Sequence, residues 1–240
     1  MSASPVTLYG LVGSWEFWID RGGTFTDVIG CSPAGQLHVR KQPSRSADGE
    51  DPGLAAARAI IAASGAAPAP IAAFKIGTTV ATNALLERQG EPVVLVTTRG
   101  FRDALRIGYQ HRPDVFARRI VLPEPLYAEV IEADERIAAD GTVVEPLDRV
   151  ALAAAFAAAR ARGRRAVAIV FVHGYRHAQH EAQAVELARA AGFATIAASH
   201  EVSPLVRFVA RGETTGFDAY LAPPHARYID AVSASSRRLD

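Results

Sequence analysis

Apolar and polar positions alternate through Trp15, Phe17 and Ile19 on one side and Glu16, Trp18 and Asp20 on the other. A period of two marks a strand with one buried face, and aromatic and β-branched residues suit that pleated surface. Residues 26–30 read as a second strand, so 15–30 is a predicted hairpin whose tip, Asp20-Arg21-Gly22-Gly23-Thr24, is polar and rich in glycine. A third strand is expected over 36–42, entered through Pro33-Ala34-Gly35, and 43–49 reads as a polar loop. Residues 51–64 form a predicted helix. Asp51 can cap it, Pro52 suits its first position, and Leu54, Ala57, Ile60 and Ile61 share a face.

Further along, 72–77 reads as a strand, 82–89 as a helix ended by Gly90, and the apolar run 92–97 as a buried, parallel strand. Residues 98–121 are polar and irregular, and 126–138 suits an edge strand before an Asp140-Gly141 turn. Helices are expected over 147–162 and 178–191, the second closed by Gly192, and strands over 166–172 and 193–198. Ser203-Pro204-Leu205 reads as the start of a short helix, and 214–228 as a helix interrupted at Pro223-Pro224. The alternation of strand and helix from 72 to 198 implies an α/β core with parallel pairing.

Composition narrows the classes. With 240 residues, 49% hydrophobic and 21% charged, the chain can build one large core or two small ones. A net charge of +1 gives no reason to expect a nucleic-acid or membrane-surface partner. The basic cluster at 160–165 falls at a helix end, where cations suit the dipole. Cys31 is the only cysteine, which excludes an intrachain disulfide and a multi-cysteine zinc site and fits a reducing cytoplasm. Residues 1–14 carry no basic stretch of the secretory kind, and no run approaches the roughly 20 apolar residues of a membrane helix.

The hairpin tip carries the chemistry. Gly22 and Gly23 permit positive φ and put no Cβ in the way, so backbone N–H groups can close around an anion. Thr24 and Thr26 add hydroxyl donors. Asp20 is acidic where a phosphate would want positive charge, which makes sense with a hydrated Mg²⁺ between them. The alternative is a tight turn in which Asp20 and Thr24 only satisfy backbone groups. Thr78, Thr79 and Asn83 lie between a strand end and a helix start, where they suit a carboxylate or carbonyl oxygen; Thr79 or Thr82 as an ordinary helix cap is the other reading. Arg99 and Arg112 can clamp a carboxylate bidentately, or pair on the surface with Asp103 and Asp114. His173, His177 and His180, with Glu181, have a metal-like spacing, against which stands a strand-to-helix turn where a cap explains the His-Glu pair.

The tip resembles the first phosphate loop of the acetate and sugar kinase/Hsp70/actin superfamily, and FWIDRGGTFTDV resembles the N-terminal segment of the hydantoinase A/5-oxoprolinase family. Three later stretches are similar to the same family: GTTVATNALLER at 77–88, TTRGFRD with GYQHRPD at 97–114, and EVSP with RGETT and DAYL at 201–221. The Trp-x-Phe-Trp opening is more similar to the 5-oxoprolinase branch than to the hydantoinase branch. The resemblance implies an α/β fold with a ribonuclease H-like (actin-like ATPase) mixed sheet and flanking helices, the N-terminal lobe of a two-lobed enzyme. It also implies a division into an extension over 1–14, the family's N-terminal domain over 15–200, and the truncated start of the next domain over 201–240.

By that resemblance the whole enzyme opens a cyclic amide with ATP and Mg²⁺ in the cytoplasm, by phosphorylating the amide oxygen, and 5-oxoproline is the expected substrate. Asp20 is implied at Mg²⁺, directly or through water. Gly22, Gly23, Thr24 and Thr26 are implied around the phosphates, with Asp27 bracing the loop. Thr78, Thr79, Asn83 and Arg112 are implied on the substrate side. Its implied partners are the C-terminal remainder or a separate B-type subunit, in a homo-oligomer, with no nucleic acid or membrane. No second phosphate loop is found, so this chain alone is expected to be inactive. An ATP-dependent hydantoinase, a ketone carboxylase subunit and a non-catalytic actin/Hsp70-like nucleotide-binding module are the alternatives.

Overall fold

The structure is a computed structural model and describes residues 13–45, 50–110, 114 and 116–236. It divides into two compact units, one of residues 1–88 with 224–240 and one of 89–223.

In the first unit, β1 (Trp15–Arg21), β2 (Phe25–Cys31) and β3 (Leu37–Pro43) form an antiparallel meander. Helix α1 (Pro52–Ser64) follows, then β4 (Ile71–Thr78), which lies parallel to β1, and the short α2 (Val80–Leu86). The order β3-β2-β1-β4 is the mixed sheet expected. The alternation along β1 holds: Trp15, Phe17 and Ile19 are buried with Val28, Ala56, Ala57 and Ile60. Gly30 and Gly53 let α1 close on this face, since a Cβ on either would stand 2.6 Å from Phe17 or Ile19. On the other face Glu16 pairs with Lys75 at 2.9 Å, and the Lys75 ammonium lies 4.6 Å from the Trp18 ring centroid. Helical residues 224–236 belong to this unit, where Tyr228 and Val232 cluster with Leu54.

The second unit holds a parallel sheet in the order β10-β9-β5-β6. Its elements in chain order begin with β5 (Val93–Thr98), α3 (Ala104–Ile107) and the edge strand β6 (Tyr127–Ala133). A small ribbon of β7 (Arg136–Ile137) and β8 (Val143–Glu145) turns through Asp140-Gly141, and α4 (Arg149–Ala161) follows. Then come β9 (Ala166–Val170), α5 (Gln179–Ala190), β10 (Thr195–Ala198), α6 (Ser199–Val202) and α7 (Phe208–Ser236). Every residue of β5 and β9 is buried, as their unbroken apolar runs require. Phe156 and Ala159 of α4 pack with Ala184 and Ala188 of α5 over Val94, Val96, Val167 and Ile169.

Four local expectations change. Helix α2 ends at Leu86, and Arg88 at φ 56° turns the chain; Gly90 instead sits flat against the Tyr220 ring. The segment 126–138 is two strands, because the chain leaves the sheet at Asp134 and Glu135. The short helix precedes Ser203 rather than starting there, since a residue before proline avoids helical geometry. Helix α7 runs through Pro223-Pro224, with buried Ala219 and Tyr220 before them and Tyr228 and Val232 after them holding its two halves. The cluster at 160–165 is the expected solvated helix end: Arg162 and Arg164 both meet Glu129 on the edge strand.

Candidate functional site

Strands β1 and β2 close through Gly23 and Thr24, with the Gly22 N–H donating to the Phe25 carbonyl at 3.1 Å. Neither Gly22 nor Gly23 adopts positive φ, contrary to expectation. Close approach is what keeps these positions small. A Cβ on Gly22 would lie 3.0 Å from the Phe25 carbonyl oxygen, and one on Gly23 would lie 3.3 Å from Asn83 Nδ2. Gly23 and Thr24 are exposed, and their N–H groups and the Thr24 hydroxyl have no partner among the described residues. These are the donors an anion would meet.

Thr26 is not among them. Its side chain is fully buried, and its Oγ1 lies 2.9 Å from Ser44 Oγ. Ser44 Oγ donates to the Gly22 carbonyl at 2.7 Å. A hydroxyl carries one proton, so Thr26 donates to Ser44 and has none left for a phosphate. Asp27 likewise does not brace the tip: both its oxygens take the Lys41 ammonium, at 3.0 and 2.9 Å, tying β2 to β3. Ser44 was not legible as a site residue. The one available signal was register, since β2–β3 pairing extended past Phe25 and Pro43 sets Ser44 opposite Thr24.

Asp20, at the end of β1, stands opposite Asp27 on β2 and Gly77 on β4. Its carboxylate is exposed and has no partner among the described residues. Its Oδ1 lies 4.0 Å from where a Cβ on Gly77 would stand, so the carboxylate lies beside Gly77 of β4. An open, unpaired carboxylate with oxygen donors only fits Mg²⁺, which binds through one or two carboxylates and completes its shell with water and phosphate.

Arg21 beside it is committed elsewhere. Its guanidinium bonds Asp51 Oδ2 at 2.9 Å and lies 4.7 Å from the Tyr228 ring centroid. Asp51 also accepts from the N–H groups of Gly53 and Leu54, at 2.9 and 3.3 Å, so one carboxylate caps α1 and holds Arg21. Burial raises the pKa of the Tyr228 phenol in this packing. The Arg21 carbonyl accepts from Thr79 N–H at 3.2 Å and from Thr79 Oγ1 at 3.4 Å. Asn83 Nδ2 donates to Thr79 Oγ1 at 3.3 Å, and Thr78 Oγ1 accepts from Val80 N–H at 3.2 Å. Thr79 therefore makes no side-chain cap; it ties α2 to the end of β1. The first unit thus gathers Asp20, Gly22, Gly23, Thr24, Thr78, Thr79 and Asn83 around one strand end.

In the second unit Arg99 pairs with Asp134, not Asp103, and Asp114 accepts from the Phe116 N–H at 2.9 Å. Arg112 lies outside the described residues. Glu132 takes the Gly100 N–H at 2.8 Å and Arg102 at 3.0 Å, and these bonds, the first above all, hold its carboxyl below the usual range. The three histidines do not converge. His177 Nε2 lies 3.2 Å from the Ala139 carbonyl, and His180 Nδ1 lies 2.8 Å from Glu135, whose other oxygen takes the Thr98 hydroxyl. Among the described residues no three His, Cys, Asp or Glu side chains form a metal cluster.

A helix cap does not explain Glu181 either, because the N-cap position of α5 is Ala178, with no side-chain cap bond. Glu181 is fully buried and accepts from Phe171 N–H at 2.8 Å, Ser199 Oγ at 2.5 Å, His200 N–H at 2.9 Å and Arg211 at 3.3 Å; His200 Nδ1 lies 2.7 Å from its Oε2. Burial alone would raise its pKa, but these bonds outweigh it and hold the carboxyl low. The bond to Glu181 raises the His200 pKa against the opposing effect of burial.

Among the described residues no helix is long and apolar enough to cross a membrane. The sequence pattern of the hydantoinase/oxoprolinase N-terminal region matches residues 16–192. The chain is 37% identical over 247 residues to 5-oxoprolinase 1 of Arabidopsis thaliana, covering 90% of this chain and 20% of that protein. The crystal structure of the ATP-dependent caprolactamase from Pseudomonas jessenii superposes with a TM-score of 0.76 at 34% identity, over 91% of this chain and 33% of the other. The nucleotide-free structure of acetone carboxylase shares the fold, with a TM-score of 0.74 at 22% identity over 93% of this chain and 34% of the other. The chain therefore spans between a fifth and about a third of the length of these proteins. It belongs to the hydantoinase/oxoprolinase family, of which it carries the N-terminal region.

Proposed function

We propose that this chain is the N-terminal part of an ATP-dependent hydrolase of cyclic amides, with 5-oxo-L-proline as substrate and L-glutamate, ADP and phosphate as products. One observation carries the reading: at the end of β1 an Asp20 carboxylate and the Gly23 and Thr24 donors, all without a partner among the described residues, occupy one hairpin, with Thr79 and Asn83 against it. The matched relatives named for 5-oxoproline and caprolactam support a lactam as the substrate class.

A lactam is a poor electrophile because its nitrogen lone pair feeds the carbonyl. Moving a phosphoryl group onto the amide oxygen ends the nitrogen's donation into the carbonyl and lets water add to the ring carbon; the ring C–N bond then breaks with the nitrogen taking a proton, and a second water displaces phosphate from the acyl phosphate that is left. Gly23 N–H, Thr24 N–H and Thr24 Oγ1 would hold the phosphate oxygens. Asp20 would hold Mg²⁺, which when bound neutralises charge on the transferring group. Thr78, Thr79, Asn83 and Arg112 would orient the cyclic amide. Asp27 and Thr26 serve the sheet and the loop. The remaining two thirds or more of the enzyme, as one chain or as a partner subunit, would complete the nucleotide site, and the enzyme would work in the cytoplasm as a homo-oligomer.

The test is a substrate panel. The complete enzyme is given MgATP with 5-oxoproline, caprolactam or a hydantoin, and phosphate and ring-opened product are measured together. Phosphate and glutamate formed in step with 5-oxoproline support the assignment. Stimulation by another ring alone moves the substrate, and no stimulation by any ring overturns the hydrolase reading.

A further inference from the structure

Ser44 lies in the stretch after β3 that reads as an anonymous polar loop, yet it is buried and makes three contacts with the hairpin tip. Its Oγ donates to the Gly22 carbonyl at 2.7 Å, its N–H donates to the Thr24 carbonyl at 2.8 Å, and its Oγ takes the Thr26 hydroxyl at 2.9 Å. One residue thereby fixes the carbonyls on either side of Gly23. A trans peptide is planar, with its C=O and the following N–H pointing in opposite directions. Holding the Gly22 carbonyl toward Ser44 therefore turns the Gly23 N–H away from Ser44. Gly23 is exposed, and its N–H has no partner among the described residues.

We infer that Ser44 is a positioning residue: by clamping the Gly22 and Thr24 carbonyls it aims the Gly23 N–H outward, where a phosphate group of a nucleotide accepts it. Ser44 touches no substrate itself. Thr26 is the second member of the clamp, because its single proton fills the Ser44 oxygen and leaves the Ser44 proton directed at Gly22. Without this clamp the glycine pair is free to rotate its peptide planes, and the free N–H groups lose their common direction. The inference rests on the reading of the tip as a phosphate loop.

The experiment is amide NMR of the complete enzyme, isotope-labelled at glycine and threonine and titrated with MgATP, comparing wild type, Ser44→Ala and Ser44→Thr. In wild type the Gly23 and Thr24 amide signals move on titration. Ser44→Ala weakens MgATP binding about five- to tenfold and shifts the Gly23 amide already in the free protein. Ser44→Thr, which keeps the donor, restores both. A loss that Ser44→Thr fails to restore, or a Ser44→Ala chain that binds MgATP as wild type does, overturns the positioning role and leaves the phosphate-loop reading standing. A wild-type chain whose Gly23 and Thr24 amides ignore MgATP overturns both together. If Ser44→Ala does not fold, Ser44→Cys takes its place, since a thiol keeps the volume but donates only weakly.

Discussion

Asp20 and Glu181 are both carboxylates that follow or face the end of a strand, and the structure treats them in opposite ways. Glu181 has no exposure and spends both oxygens on groups from β9's end, α6 and α7. Asp20 is exposed and spends neither on any described residue. The same contrast separates Thr26, buried against Ser44, from Thr24, open at the tip. Polar groups that hold a fold are paired inside it, because an unpaired one would cost more buried than solvated. Polar groups left open at one strand end are those a ligand can use. Glu181 therefore belongs to the architecture, and Asp20 is left open for the chemistry proposed above.

The comparison breaks most easily at Glu181. Glu181→Ala leaves Arg211 buried without its counter-charge, and breaking a buried pair from one side costs about 3–5 kcal/mol. Denaturant unfolding should show that loss in the second unit. Asp51→Ala removes the cap of α1 and the partner of Arg21, with an expected cost of about 1–2 kcal/mol. The same unfolding measurement reads it.

The Glu181–His200 pair adds a pH signature. Glu181 is held below its ordinary value, so its contribution is present above about pH 4.5 and is lost as pH falls through the lowered value. His200 is held above its ordinary value, so its contribution is full below about pH 6.5 and is lost as pH rises through the raised value. Stability from this pair is therefore greatest between those limits and declines on the alkaline side. His200→Asn should flatten that decline in unfolding curves taken from pH 6 to 9. The smallest effect is expected at Lys41→Ala. Its exposed pair with Asp27 is worth a few tenths of a kcal/mol, and chemical denaturation should detect almost nothing.

Much of the fold was legible because its signals are local. The alternation of Trp15, Phe17 and Ile19, the Asp51-Pro52 helix start and the unbroken apolar run of β5 each sit within a few residues. The open part of the candidate site was legible for the same reason: Asp20, Gly23 and Thr24 fall within one hairpin tip, and only the cause of the glycines changed, from positive φ to close approach. What stayed hidden depends on partners far along the chain. Ser44 meets Gly22 across 22 residues, and Arg211 meets Glu181 across 30. Thr26 and Thr24 are the same residue type two positions apart on a hairpin, and only the arrival of Ser44 decides which hydroxyl is spent. The alternative reading of Thr79 as a helix cap fails likewise, because the Arg21 carbonyl on β1 claims its hydroxyl.

The most direct measurement sets the two neighbouring carboxylates of the hairpin against each other. Phosphate release from MgATP by the complete enzyme is followed with and without 5-oxoproline for wild type, Asp20→Ala and Asp27→Ala. The account predicts that 5-oxoproline-stimulated release falls by at least about a hundredfold in Asp20→Ala, as loss of a metal-holding group in phosphoryl transfer requires. In Asp27→Ala, which breaks only an exposed pair with Lys41, release should stay within about threefold of wild type. Full stimulated release from Asp20→Ala, or equal losses in the two variants, would contradict the assignment of Asp20 to the chemistry.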